Sequence, residues 1–363
     1  MMKAADGKIG TREFFSLVFL SVGIKATDTT PNILFDLGEN AAWMMPIFSS
    51  FVIGVPFFLL LWLMKKHEKG LIELLFHLFG KYLGGFIGFI LFLIIFSGMV
   101  IYSRSYIDIV NVMFYPKAPV LLLLFLLLVA CSFLIAKRGL EAIGRAAWFI
   151  IPITFFILFL LVIAVFHEVN WMQIFPFAGP GFKQVVTGSV THSSVLGNII
   201  LFAALFPFVR SYKTFRLASF LGLGVSCVTI TLFIAIYVMV FDYPEIINMA
   251  YPYQQLTRIA SLGGITTHIE SLFLGIWIHA AAIYFAITLY VSAYFFSGAL
   301  RLDKFEPLLL PFVGLAFLLG IQQDNVFHVT QARNILIEYS SVILIVLPFC
   351  LWIADLWKGR LKK

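Results

Sequence analysis

The chain has 363 residues, 61% hydrophobic and only 12% charged, against roughly 25% charged in an average soluble domain. A mean hydropathy of +1.01 leaves too few polar residues for a solvated shell, so the solvent for most of the surface is lipid. That excludes a soluble enzyme, a nucleic-acid binder and a secreted disulfide scaffold. At about 20 residues per crossing, the length predicts an all-α integral membrane protein with ten transmembrane helices in one domain, 1–363.

The predicted crossings are 14–37, 41–64, 86–112, 119–136, 146–166, 188–209, 217–241, 267–300, 307–321 and 337–357. Lys3, Lys8, Arg12, Asp6 and Glu13 precede the first, and no small-residue cleavage pattern closes a short apolar region, so helix one is expected to be retained. Gly23, Lys25, Thr27, Asp28 and Pro31 interrupt that helix at membrane depth. Each charge there costs about 2.5–3.5 kcal/mol on insertion scales, so the stretch must face protein or a wet cavity. Pro31 lacks an N–H and crowds the preceding turn, which predicts a break just before it. Lys25 and Asp28, one turn apart, either neutralise each other or meet a ligand.

Residues 70–81, with Leu71, Leu74, Leu75 and Leu78 on one side, predict a cytoplasmic interfacial helix or, as the functional alternative, a docking surface for a partner. In helix three, Tyr102 and Tyr106 with Arg104 and Asp108 mark either a polar interior surface or an aromatic belt. Helix six repeats the oddity of helix one: Leu196, Gly197 and Asn198 follow the polar run from Thr191 to Ser194, ahead of an apolar half. Interrupted helices at corresponding places predict a 5+5 inverted repeat, 14–166 and 188–357, with a ligand site where the unwound backbone converges at the midplane. On helix eight Glu270, Trp277, Tyr284, Thr288 and Ser292 share one helical face.

Alternating the loops gathers most of the 25 basic residues on one side and leaves Arg104, Lys117, Lys183, Arg258 and Arg333 on the other. By the positive-inside tendency both termini are expected in the cytoplasm. Cys131, Cys227 and Cys350 lie within apolar runs and are expected to pack. His192, His268, His279 and His328 lack metal-ligand spacing, so neither a metal nor a cofactor is expected. A nucleotide-binding loop and a catalytic constellation are missing from the sequence too.

Pro31, then Gly38-Glu39-Asn40-Ala41-Ala42-Trp43, Lys137-Arg138-Gly139-Leu140-Glu141, Tyr251-Pro252, Arg258-Ile259-Ala260 and His268-Ile269-Glu270-Ser271-Leu272-Phe273 with Trp277 follow one another along the chain. In this order and spacing they resemble the bacterial spore germinant-receptor B subunits, of the amino acid, polyamine and organocation transporter superfamily. The resemblance spans essentially the whole chain. It implies a leucine-transporter-like fold with helices one, three, six and eight around a pocket for a small nutrient. It also implies an A subunit and a lipoprotein C subunit as partners in the spore inner membrane. Many members of the family it resembles have a short glycine-rich break in helix one, where this chain has Lys25 and Asp28.

Together these readings place a ligand between Gly23, Lys25, Thr27 and Asp28 on helix one and Leu196, Gly197 and Asn198 on helix six, against Tyr102, Tyr284 and Thr288. Pro31, Glu270 and Trp277 are expected to act in structure or gating. Two functions remain: a sensor of a nutrient germinant that signals to partner subunits, and a secondary transporter of amino acids or related solutes.

Overall fold

The computed structural model describes residues 7–260, 269–323 and 325–361; His268 therefore lies outside the described residues. The helices are α1 (Thr11–Val22), α2 (Thr30–Gly38), α3 (Met45–His67), α4 (Leu71–Met113), α5 (Val120–Phe125), α6 (Leu134–Ala136), α7 (Leu140–Val165), α8 (Phe182–Thr191), α9 (Asn198–Leu201), α10 (Tyr212–Phe241), α11 (Tyr243–Ile246), α12 (Pro252–Ile259), α13 (Ile269–Leu300), α14 (Leu309–Ile321) and α15 (Val326–Leu361). A π-helical stretch, Leu126–Phe133, joins α5 to α6. Among the described residues there is no strand, and the isolated backbone bridge pairs Ile9 with Val209.

Six helical stretches are long and apolar enough to cross a membrane: Thr30–His67, Leu71–Met113, Leu140–Glu168, Tyr212–Phe241, Glu270–Leu300 and Val326–Gly359. The other predicted crossings correspond to α1 and to the shorter apolar helices Val120–Ala136, Asn198–Phe208 and Glu306–Ile321. The protein is a multi-pass integral membrane protein, and its outer surface carries exposed Phe51, Phe58, Phe149 and Phe159. Cys131 and Cys350 join that exposed surface instead of packing inside, because both fall on outward turns of their helices; Cys227 is partly buried and its thiol approaches the Pro46 carbonyl at 3.5 Å.

The predicted break in helix one is a 3₁₀ turn, Gly23–Ala26, followed by non-helical residues before α2. Pro31 stands in the first turn of α2, where a missing N–H is tolerated. Helix six breaks after α8, runs through the 3₁₀ turn Ser193–Val195 into α9, and continues as a 3₁₀ segment, Phe202–Phe208. The segment predicted as an interfacial helix is the first part of α4, and its Leu71, Leu74, Leu75 and Leu78 are buried against the rest of the protein. Gly80 ends it at φ +81°, a backbone conformation that costs glycine little, and the chain turns into crossing three.

Helix α13 is the central post. It packs on α4, α7 and the π-helical stretch, and it is buried on nearly every side between Phe273 and Phe295. Both of its faces therefore meet protein, the polar one included. Helix α15 starts well before the predicted residue 337. Arg333 and its polar neighbours lower the hydropathy there, yet the guanidinium is buried inside the bundle and the helix continues through it.

Candidate ligand-binding site

Unwinding helix one frees backbone groups that must find partners. Most are met by side chains of this chain. The Tyr237 hydroxyl donates to Ala26 O (2.7 Å), Gln254 Nε2 to Thr27 O (3.3 Å), and Thr27 Oγ1 to Ile24 O (2.8 Å). Asn198 Nδ2, at the break in helix six, donates to Ser21 O of helix one (3.3 Å) and ties the two breaks together. In helix six itself, Ser194 Oγ donates to Ile337 O (2.7 Å), while Ser194 N–H donates to Ser341 Oγ (2.9 Å).

A charge cluster sits on the first break. Lys25 and Asp28 are 2% and 1% exposed, and Lys25 Nζ lies 3.5 Å from Asp28 Oδ2. Arg333 from α15, also 2% exposed, reaches Asp28 Oδ1 at 3.4 Å and donates to the hydroxyls of Thr29 and Thr30. Asp28 Oδ1 accepts the Thr30 N–H (2.6 Å), which fixes the entry into α2. The Lys25 ammonium stands 3.2 Å from the centroid of the Tyr102 ring and 5.4 Å from that of Tyr284. The Arg333 guanidinium stands 4.9 Å from the Tyr102 centroid, within the range of cation–π attraction.

Two small cavities adjoin this cluster. Tyr102, Asn198, Tyr284 and Thr288 line the first, of about 40 Å³, with Ser340 and Leu344 of α15. Gly23, Thr27 and Trp277 line the second, also about 40 Å³, with Tyr253 and Phe273. The predicted site residues are thus divided between two chambers. Lys25, Asp28, Leu196 and Gly197 line neither, but a Cβ on Gly197 would meet Leu344 Cδ1 at 2.7 Å. Pro31 is buried at the start of α2.

Trp277 Nε1 donates to Thr27 Oγ1 (3.1 Å), and its ring stacks on Tyr106 at 4.7 Å. Both Tyr102 and Tyr106 belong to the interior and not to an interfacial belt. The polar stripe of helix eight is internally bonded: Thr288 Oγ1 donates to Tyr284 O (2.6 Å) and Ser292 Oγ to Thr288 O (2.7 Å). Arg333 is the residue that sequence reasoning placed among the outward-facing charges. Its signal was present, a lone cation one turn before an apolar run, but nothing in one sequence says that it points at Asp28.

Glu270 pairs with Arg258 at 3.4 Å, with side chains 32% and 41% exposed. An ion pair this solvated contributes about 0.2–1 kcal/mol. Glu270→Gln is therefore expected to shift thermal stability only slightly, and a loss of folded protein on size exclusion would contradict the geometry. His192 Nε2 lies 3.8 Å from Glu338 Oε1, and among the described residues no three His, Cys, Asp or Glu side chains group as a metal site needs.

A family profile described as "Spore germination protein" matches residues 8–327. The chain belongs to the spore germination protein family. Among curated protein sequences, none matches this member. Of solved structures, a point mutant of the manganese transporter from Eremococcus coleocola is 14% identical, covers 94% of this chain and 79% of its own, and gives a TM-score of 0.62. The same transporter in complex with an aromatic bis-isothiourea compound is 14% identical over 92% and 76%, with a TM-score of 0.56. At that identity the likeness is one of fold, and the fold is leucine-transporter-like. The spore germination protein is thus a membrane transporter or receptor and not an enzyme.

Proposed function

We propose that this protein is the nutrient-sensing subunit of a spore germinant receptor. It binds a small, amino-acid-like molecule or other nutrient at the midplane between its two broken helices and signals to an A subunit and a lipoprotein C subunit in the spore inner membrane. The observation that carries this reading is the convergence of helices one, three, six, eight and ten on a buried polar cluster beside cavities too small for anything but a small solute. The excess of Lys and Arg in alternate loops supports cytoplasmic termini. The matching interruptions support two five-helix repeats, 14–166 and 188–357.

Fold alone does not separate sensing from transport. Purified protein in liposomes, given a panel of labelled amino acids, makes the separation. Saturable binding without accumulation in the lumen is the expected result; accumulation selects the transporter. Gly197→Leu, which pushes into Leu344, and Thr288→Val are expected to weaken binding with membrane insertion intact. Unchanged affinity in both removes the pocket.

A further inference from the structure

Helix four is the apolar run Val120–Ala136, yet it winds as a π-helix over Leu126–Phe133. Ser132 Oγ donates to Leu127 O, five residues back, at 2.7 Å. Such insertions recur at functional positions, and this one faces two cavities. Cys131 lines both, so they adjoin. The larger, of about 500 Å³, lies between α6, α7 and α13, where Ala142, Ala146 and Ala282 leave room that longer side chains would fill. The smaller, of about 150 Å³, runs on between the π-helical stretch, α4 and α13 as far as Tyr106 and Trp277, and no charged residue lines it. Together they form a groove open to the membrane, since Leu134 and Phe149 in its wall are 55% and 73% exposed.

One end of this groove is charged. Arg138, exposed in the turn after α6, lines it there, and Lys137 adjoins it in the chain. Among the described residues the Arg138 guanidinium has no ion pair, whereas Arg145 on α7 is held by Glu141. No carboxylate lines either cavity. His279, farther along the wall, already donates from Nδ1 to Gly275 O (2.7 Å). A cation at one end of a long apolar trough fits an amphiphile with an anionic head. From Arg138 back to Leu123, in the smaller cavity, is about 20 Å of helix axis. One leaflet of hydrocarbon is about 15 Å deep, so an acyl chain anchored at Arg138 passes Cys131 and ends near the stack of Tyr106 on Trp277. The body of a partner helix, about 10–12 Å across, is too thick for the trough.

We infer that this groove binds one anionic phospholipid, with its phosphate on Arg138 and one acyl chain laid past Cys131 toward Trp277. The site is separate from the pocket proposed above and holds whether the chain senses or transports. Trp277 Nε1 also donates to Thr27 Oγ1, so the lipid tail stops one side chain short of the break in helix one.

The test follows Tm of the purified full chain in dodecyl maltoside during titration with phosphatidylglycerol, with phosphatidylcholine of the same acyl chains, or with glycerol 3-phosphate. The expected result is a saturable rise with phosphatidylglycerol at about one-fifth of the phosphatidylcholine concentration, as one basic side chain near an anionic lipid provides, and no effect of glycerol 3-phosphate. Arg138→Gln is expected to make the two lipids equal, and Ala146→Phe, which fills the groove, to remove the saturable rise. A second measurement leaves the groove intact. In a Cys227→Ser, Cys350→Ser background, alkylation of the exposed Cys131 by a maleimide is expected to slow at the phosphatidylglycerol concentrations that raise Tm. A rise that glycerol 3-phosphate reproduces marks a phosphate site without a lipid, and a rise that survives Ala146→Phe places the lipid elsewhere; either overturns the inference. Alkylation that neither lipid slows also overturns it, and if native membranes block that same alkylation, a partner subunit covers the groove instead.

Discussion

Asp28→Leu is expected to be the most damaging single substitution near the site, with a loss of about 3–5 kcal/mol, the usual consequence of leaving a buried charge without its partner. The carboxylate is 1% exposed and stands between Lys25 and Arg333, both 2% exposed. It also holds the Thr30 N–H at the start of α2, so its removal loosens a helix end as well. Restoration follows a definite order. If Lys25 and Asp28 were an isolated pair, Lys25→Met would rescue Asp28→Leu. Because Arg333 takes the same carboxylate, that double variant still buries an unpaired guanidinium and is expected to recover only in part. Adding Arg333→Leu should recover more. Graded heating followed by size exclusion gives the ranking, and full rescue by Lys25→Met alone would show that Arg333 is not coupled to the pair.

The second large effect is expected at Gly222, where α10 crosses α1. A Cβ on Gly222 would stand 2.6 Å from Val18 Cγ1, 2.7 Å from Val18 Cβ and 3.5 Å from the Phe15 carbonyl oxygen. Val18 is fully buried, and its Cβ is fixed to the backbone, so it cannot swing aside as the end of a long side chain would. Gly222→Ala is expected to cost about 1–3 kcal/mol by overpacking and Gly222→Leu more. The clash names its own remedy: Val18→Gly in the Gly222→Ala background removes both close atoms. A Tm in the double variant no higher than in Gly222→Ala would show that the helices do not meet there.

The parts of this fold that depend on local chemistry were legible in the sequence. Pro31 announces the break in helix one, the polar run from Thr191 to Asn198 announces the break in helix six, and the apolar runs give the crossings. Periodicity also put Trp277, Tyr284, Thr288 and Ser292 on one buried face of helix eight. Partnerships over long separation were not legible. Arg333 belongs to Asp28 across 305 positions, and Tyr237 closes the Ala26 carbonyl from 211 positions away. Neither contact leaves a trace in spacing or hydropathy. The same limit explains why one pocket was expected where there are two chambers. Composition shows that Gly23 and Asn198 sit at breaks, but the direction each faces is set by packing.

The bridge between Ile9 and Val209 has a mechanical meaning. Ile9 N–H donates to Phe208 O (2.9 Å) and Arg210 N–H donates to Ile9 O (3.1 Å), just ahead of α1 and just after the last turn of helix six. Farther along, Asn198 clasps Ser21 between the same two helices. Two struts joined at two points behave as a linkage. Neither broken helix can tilt about its own interruption without levering the other, so a push delivered at one break arrives at the loops on either side of Ile9 and Arg210 as a single stroke.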